Sequence, residues 1–326
     1  MKNTLSLILL LSCFSLFAQE PYDKITVAQD GSGDFSSIQE AINSTRDLGP
    51  GEVEIHIKKG VYQEKIEIPN WKHQLSLIGE DQEEVIIENS DYSGKMNEQT
   101  WKEFSTFNSY TMLVRGDDIH LKNLTVKNSS CGKGQAVALH VEGDRFIAEN
   151  CRILGCQDTI YTATEGSRQY YNNCYVEGTT DFIFGEATCV FENCTIKSLK
   201  NSYITAAATP ENQEFGYVFI DCKLIAADDV NEVFLGRPWR SYAQTVFINT
   251  ELGAHIVKEG WNPWKGDDMF PNKKKTVFYA EYGSKGKGAS PKTRVNWSHQ
   301  LSKEEAEKYN VENIFSVNTM DWNPKL

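Results

Sequence analysis

Apolar and polar positions along the 326-residue chain alternate in short runs of strand length, with few stripes of helical period. Val53–Ile57, residues 75–78 and residues 85–88 are rich in Val, Ile and Leu and each predicts a strand. Further on, Asn150-Cys151-Arg152-Ile153, Asn173-Cys174-Tyr175-Val176, Asn193-Cys194-Thr195-Ile196 and Asp221-Cys222-Lys223-Leu224 are four copies of one pattern. A cysteine-free copy precedes them at Asn123-Leu124-Thr125-Val126, and the successive spacings are 27, 23, 20 and 28 residues. Uneven periods of this length, each carrying a strand, predict the coils of a parallel β-helix, because helical repeats are longer and helix-forming. Each copy then sets its Asn or Asp at a turn and its Cys inward.

The ends of the chain fit a solenoid. Residues 34–42 read as a capped amphipathic helix able to cover the open end of the core, which would otherwise invite edge-to-edge pairing. Ser302-Lys303-Glu304-Glu305 is a capping box that opens a helix to about Tyr309, after which the chain is expected to run along the outside of the coils. Polar residues 89–108 predict a long loop. No linker interrupts the pattern, so residues 19–326 are expected to form a single domain.

At the N-terminus, Met1-Lys2-Asn3, an apolar run from Leu5 to Phe17 and Ala18-Gln19-Glu20 follow the order of a secretory signal, expected to be cleaved after Ala18. The run is too short to span a bilayer comfortably. Leu10-Leu11-Ser12-Cys13 also resembles a lipoprotein box, a second choice because the apolar run continues past Cys13. The expected location is therefore secreted or periplasmic, with lipid anchoring at Cys13 as the lesser alternative. Losing residues 1–18 removes one lysine and takes the formal net charge from -12 to -13. So acidic a chain has no basic footprint for nucleic acid, and an anionic polymer would need locally placed basic or neutral contacts.

Seven cysteines follow residue 18, so at least one is unpaired. Stacked positions lie one strand spacing apart, ~4.8 Å, which permits a disulfide without requiring one. Both buried thiols and bridges remain open. No Cys-x-x-Cys pair and no histidine cluster points to a metal, and no Gly-x-Ser-x-Gly elbow points to a serine esterase.

Two segments stand out chemically. Gly155-Cys156-Gln157-Asp158-Thr159-Ile160-Tyr161 and Gly178-Thr179-Thr180-Asp181-Phe182-Ile183-Phe184 each set an aspartate among strand-forming neighbours, where it is costly to bury without partners. Asp158 and Asp181 are 23 residues apart, the separation of Cys151 and Cys174, so coils in register put both on one face. Carboxylates that close cannot both ionise easily, and the more buried one keeps its proton near neutral pH.

Five ordered blocks, Gly60-Val61-Tyr62-Gln63-Glu64, Gln135-Ala136-Val137-Ala138-Leu139, Gln157-Asp158-Thr159-Ile160, Asp181-Phe182-Ile183-Phe184-Gly185 and Leu235-Gly236-Arg237-Pro238-Trp239, closely resemble the motif blocks of pectin methylesterases. The opening segment Val27 to Phe35 and the closing segments Tyr279-Ala280-Glu281-Tyr282 and Arg294-Val295-Asn296-Trp297 resemble theirs as well, so the likeness runs from Lys24 to about Tyr309. Ile160 departs from the more usual leucine, a volume-conserving change, and residues 89–108 match poorly. The resemblance implies an all-β, right-handed parallel β-helix with a short N-terminal capping helix and a C-terminal helical segment. It further implies removal of methyl esters from the polygalacturonate of pectin, without metal or organic cofactor.

By analogy with that family, Asp181 is the nucleophile and Asp158 the acid that protonates departing methanol, then the base for the hydrolytic water. Arg237 suits the task of keeping Asp181 ionised, because guanidinium binds a carboxylate through two parallel hydrogen bonds. Gln135 and Gln157 offer N–H donors to the oxyanion. Trp239, Tyr161, Phe182 and Trp264 are candidate stacking contacts for sugar rings. A monomer acting on pectin is expected. The alternatives are a β-helix lyase or hydrolase cutting the pectin backbone, and a noncatalytic pectin-binding protein.

Overall fold

The computed structural model describes residues 24–316 and 322–325; the expected signal and the Cys13 lipoprotein box lie outside the described residues. Three parallel sheets of 11, 8 and 7 strands run the length of the molecule. Each coil contributes one strand to each sheet in turn, as in Phe146–Glu149, Arg152–Leu154 and Ile160–Thr162, before the chain re-enters the first sheet at Arg168–Asn172. This is the expected parallel β-helix.

The Asn and Asp of the repeated pattern form the same corner of successive coils from Asn123 onward. Asn123, Asn150, Asn173, Asn193 and Asp221 all adopt a left-handed backbone, with φ between 51° and 55°. Asn and Asp tolerate that region better than other side-chain-bearing residues, which explains their recurrence. Asn249, also left-handed, is a further copy that the cysteine pattern conceals, because buried Thr250 follows it. Neighbouring amides join across coils: Asn150 Nδ2 donates to Asn123 Oδ1 at 2.7 Å and Asn173 Nδ2 to Asn150 Oδ1 at 3.2 Å.

Just past this corner, Cys151, Cys174, Cys194 and Cys222 stack inward as buried free thiols, while Cys131 and Cys156 form a disulfide. The interior of the first sheet carries a matching aromatic column. Tyr171, Phe191, Phe219 and Phe247 stack with centroids 4.5 to 4.8 Å apart, the spacing of the strands beneath them.

The helix expected at 34–42 begins later, at Ile38–Ser44, with Ser37 as its N-cap, and buries Ile38, Ala41 and Ile42 on the core. The Glu64 carboxylate accepts from Ser37 Oγ and from the backbone N–H groups of Ile38 and Gln39, satisfying donors that the helix leaves open. At the other end the Ser302 capping box opens Lys303–Ala306, and a second helix, Val311–Phe315, follows. Ala306, Val311, Ile314 and Phe315 pack on the outer face of the first sheet against Tyr170, Val190, Val218 and Val246. The expected loop at 89–108 contains a small hairpin of Met96–Asn97 and Lys102–Glu103. It is tied down by Asp91, which pairs with Lys65 and Lys95 at 2.8 Å each.

Candidate active site

The site lies where the second sheet hands over to the third. Asp158 and Asp181 each precede a third-sheet strand, and Ile160 pairs with Ile183, so the two aspartates occupy equivalent places on consecutive coils. Asp158 N–H donates to the Thr180 carbonyl and Asp181 N–H to that of Tyr203, which locks the column Asp158, Asp181, Tyr203. Both aspartates are left-handed, at φ 66° and 49°. Gly178 is required by packing: a Cβ there would sit 2.2 Å from Cβ of Phe182, far inside contact distance.

Both carboxyl groups are nearly enclosed, at 4% and 6% exposure. Their partners differ. Asp158 accepts from Gln135 Nε2 at 2.8 Å, whereas Asp181 is bound at two points by Arg237, through Nε at 2.9 Å and Nη2 at 2.5 Å. Burial, reinforced by the neighbouring Asp181 and only partly opposed by Gln135 and Arg237, pushes Asp158 up to about 7. Burial also raises Asp181, with the bidentate arginine working against it. Because the guanidinium sits on Asp181, the pair's first proton leaves from Asp181, and Asp158 retains its proton longer.

Arg237 follows Gly236, which pairs with Thr205, itself paired with Ile183, so the arginine reaches back over two coils to Asp181. Small Ala206 lies on the coil between, leaving room for the side chain. Gln157 immediately precedes Asp158, is partly exposed, and its carbonyl accepts from Ala136 N–H, which keeps the Gln135 and Gln157 segments adjacent. The Cys131–Cys156 disulfide joins the same two segments just upstream of each glutamine. All five expected polar residues thus come from one neighbourhood.

The aromatic expectations divide. Tyr161 stands on the outer face of the third sheet, stacked on Phe184 at 4.7 Å and flanked by His140 and Phe107. It lines a cavity of about 490 Å³ with those two residues, Glu142, Glu165 and Glu186. Trp239 continues the surface, edge-on to Phe184 at 5.7 Å. Phe182 does not: it is fully buried in the core, because it sits in the turn before the strand Ile183–Gly185 and outside the alternation of that strand. Trp264 is partly exposed and lines a cavity with Arg237 and Tyr203, with the Arg237 guanidinium over its ring at 3.7 Å and Lys273 Nζ at 4.6 Å.

Phe184, His140, Phe107, Tyr203 and Lys273 were not foreseen. Tyr203 was within reach, since it sits one coil beyond Asp181 in the same column; Lys273 belongs to a Lys-Lys-Lys run that reads as a solvated patch, yet it is 2% exposed.

A β-helix that stacks two buried carboxyl groups, one bound by a carboxamide and the other by a guanidinium, defines a class of proteins with a two-aspartate site on a solenoid scaffold. Within that class the chain belongs to the pectinesterase family, whose model matches residues 24–318. It is 34% identical over 287 residues to Pectinesterase 31 of Arabidopsis thaliana, covering 86% of this chain and 89% of that protein. Among solved structures it resembles pectin methylesterase from carrot, with a TM-score of 0.80 at 31% identity over 89% of this chain and 92% of that one. A pectin methylesterase in complex with a hexasaccharide matches with a TM-score of 0.80 at 29% identity, over 93% and 98% of the two chains. The chain spans about half the length of other curated relatives, 47% and 49% of two Arabidopsis thaliana proteins named pectinesterase/pectinesterase inhibitor. No helix among the described residues is long and apolar enough to cross a membrane.

Proposed function

We propose that this chain hydrolyses the methyl esters of pectin, releasing methanol and leaving the galacturonate chain intact. The unlike partners of the two stacked carboxyl groups carry the reading: Arg237 favours an ionised Asp181, and burial beside that charge favours a protonated Asp158. An Asp181 oxygen attacks the ester carbonyl carbon, and the resulting oxyanion accepts N–H donors from Gln135 and Gln157. Collapse of the tetrahedral intermediate breaks the bond to methoxide, which takes the Asp158 proton and leaves as methanol. Asp158, now a carboxylate, removes a proton from water as it attacks the acyl-enzyme; galacturonate is released and Asp158 is protonated again.

Tyr161, Phe184 and Trp239 supply the floor along which the sugar chain lies. All five polar residues come from one chain, so the proposed active form is a monomer in which the solenoid acts as one domain. The polymer does not cross membranes, so the reaction belongs outside the cytoplasm, in agreement with the secreted or periplasmic location expected from the leader.

The test is methanol release from highly methylated pectin by wild type and Asp181→Asn, with reducing ends and unsaturated products followed in parallel. Methanol from the wild type alone, without chain cleavage, is the expected outcome. Chain cleavage without methanol would replace this reading with the lyase or hydrolase alternative.

A further inference from the structure

The two glutamines beside the aspartates are held in unequal ways. Gln157 belongs to a stretch whose backbone is bonded to the following coil: Gly155 N–H donates to the Glu177 carbonyl, Asp158 N–H to that of Thr180, and the Cys156 carbonyl accepts from Thr179 N–H. Gln135 instead ends the loop Ser130-Cys131-Gly132-Lys133-Gly134, in which residues 131–133 are exposed, as is Gln135 itself. Gly132 is left-handed at φ 79°, and Lys133 N–H turns back to the Ser130 carbonyl. At the far end of the loop the Gln135 carbonyl accepts from Ser93 N–H, in the 89–108 loop, and Ala136 N–H donates to Gln157. Among the described residues the covalent tie runs from Cys131, upstream of Gln135, to Cys156, the residue before Gln157, with Cα atoms 5.3 Å apart.

We infer that the Cys131–Cys156 disulfide is a positioning element: it moors the glycine-bearing loop to the coil of Asp158 and thereby aims the Gln135 carboxamide. The inference rests on the proposed role of Gln135 as a donor to the oxyanion. Gln135 Nε2 donates to Asp158 Oδ2 at 2.8 Å, and a carboxamide nitrogen carries two N–H groups, which leaves the second for the ester oxygen. A flexible side chain on a loop with two glycines takes its aim from whatever fixes that loop. An oxyanion donor acts only at hydrogen-bond distance, so a small drift of the loop costs rate. Cys151, Cys174, Cys189, Cys194 and Cys222 are buried free thiols, so thiol chemistry reaches the site through this bond.

The test removes the bond and asks through which residue the loss travels. Methanol-release kinetics are measured across pH for the double variant Cys131→Ser with Cys156→Ser, for Gln135→Ala, and for all three changes together. Positioning predicts that the double variant loses kcat by roughly tenfold with KM within about twofold, at temperatures well below its unfolding midpoint. With Gln135→Ala already present, removing the bond should cost less than about twofold more, since the residue through which it acts is gone. The basic limb of the profile should also move to higher pH, because the Gln135 bond favours the charged form of Asp158 and its loosening favours the proton. The other charged groups facing Asp158 are Asp181 from the following coil and Arg237, while Lys133 of the loop lies over the Tyr92 ring at 5.7 Å.

If the serine variants do not fold, the folded wild type is compared before and after dithiothreitol, with the same loss expected. The reagent gives the disulfide two electrons and two protons and closes into a cyclic disulfide itself, and iodoacetamide labelling of Cys131 and Cys156 reports the opened bond. A lowered unfolding midpoint with unchanged kcat and basic limb would overturn the inference, leaving the bond to stability alone. An equal kcat loss with and without Gln135 would overturn it as well. A wild type that releases no methanol, or an Asp181→Asn protein that still does, would instead remove the functional reading beneath it.

Discussion

Two corners of the same coil use the same backbone device for opposite ends. At the first corner, left-handed Asn123, Asn150 and Asn173 stack and their amides serve one another, Asn150 and Asn173 each donating to the Asn of the coil before. At the corner before the third sheet, left-handed Asp158 and Asp181 stack in the same manner, but carboxylates have no donors to exchange. Each must be served from elsewhere, by Gln135 from the preceding coil and by Arg237 from two coils on. An amide column is complete in itself, whereas a carboxylate column is incomplete by construction. That incompleteness sets the two carboxyl groups apart, Arg237 favouring the charged form of Asp181 and burial favouring the protonated form of Asp158.

The sharpest way to break the contrast is to turn the second corner into the first. Asp181→Asn keeps the left-handed turn and is expected to lower methanol release by at least ~10³-fold, while circular dichroism and the unfolding midpoint show an intact solenoid. Asp158→Asn should instead stabilise the fold. Asp158 binds its proton up to about pH 7 when folded but only to about 4 when unfolded, so wild-type stability falls as pH rises between those values. The variant lacks that loss and should be more stable at pH 8 by on the order of 3 kcal/mol in urea titrations, the advantage vanishing near pH 4.

Catalysis by the wild type should show the same group. With Asp158 required as an acid, kcat is expected to fall as pH rises through about 7. Arg237→Lys removes the fork while keeping the charge, and a kcat loss of roughly 10²-fold is expected from the looser Asp181. The mildest change goes the other way. Asn173→Asp places a carboxylate in the amide column, forfeiting the donor to Asn150, and should cost about 1 kcal/mol in thermal or urea unfolding without altering kcat.

The first corner was legible because its signal is chemical: few residues accept a left-handed backbone, so Asn and Asp recur wherever the coil needs it. The polar site was legible for a related reason, since register follows from the repeat length and register alone stacks Asp158 on Asp181. Side-chain direction was harder to read. Phe182 and Phe184 are two apart and alternation would place them on one face, yet Phe182 is in the core and Phe184 packs outside it with Tyr161 and Trp239, because the strand begins only at Ile183 and Phe182 still belongs to the turn. Asn249 escaped notice because the inward position after it is filled by threonine instead of cysteine. Lys273 and Trp264 meet through a loop whose path no periodicity describes, and the Cys131–Cys156 pairing depends on the spatial approach of two segments that the repeat does not number.

The stacking of Asp158 on Asp181 by backbone hydrogen bonds has a mechanical consequence. Their offset along the axis is one strand spacing, ~4.8 Å, a length set by the peptide group and the same in every cross-strand ladder. Side-chain substitutions can tilt the instrument or change its charge, but they cannot rescale it. The proposed reactive pair is therefore gauged by the scaffold's own pitch, and on heating its alignment should persist until the coils themselves part.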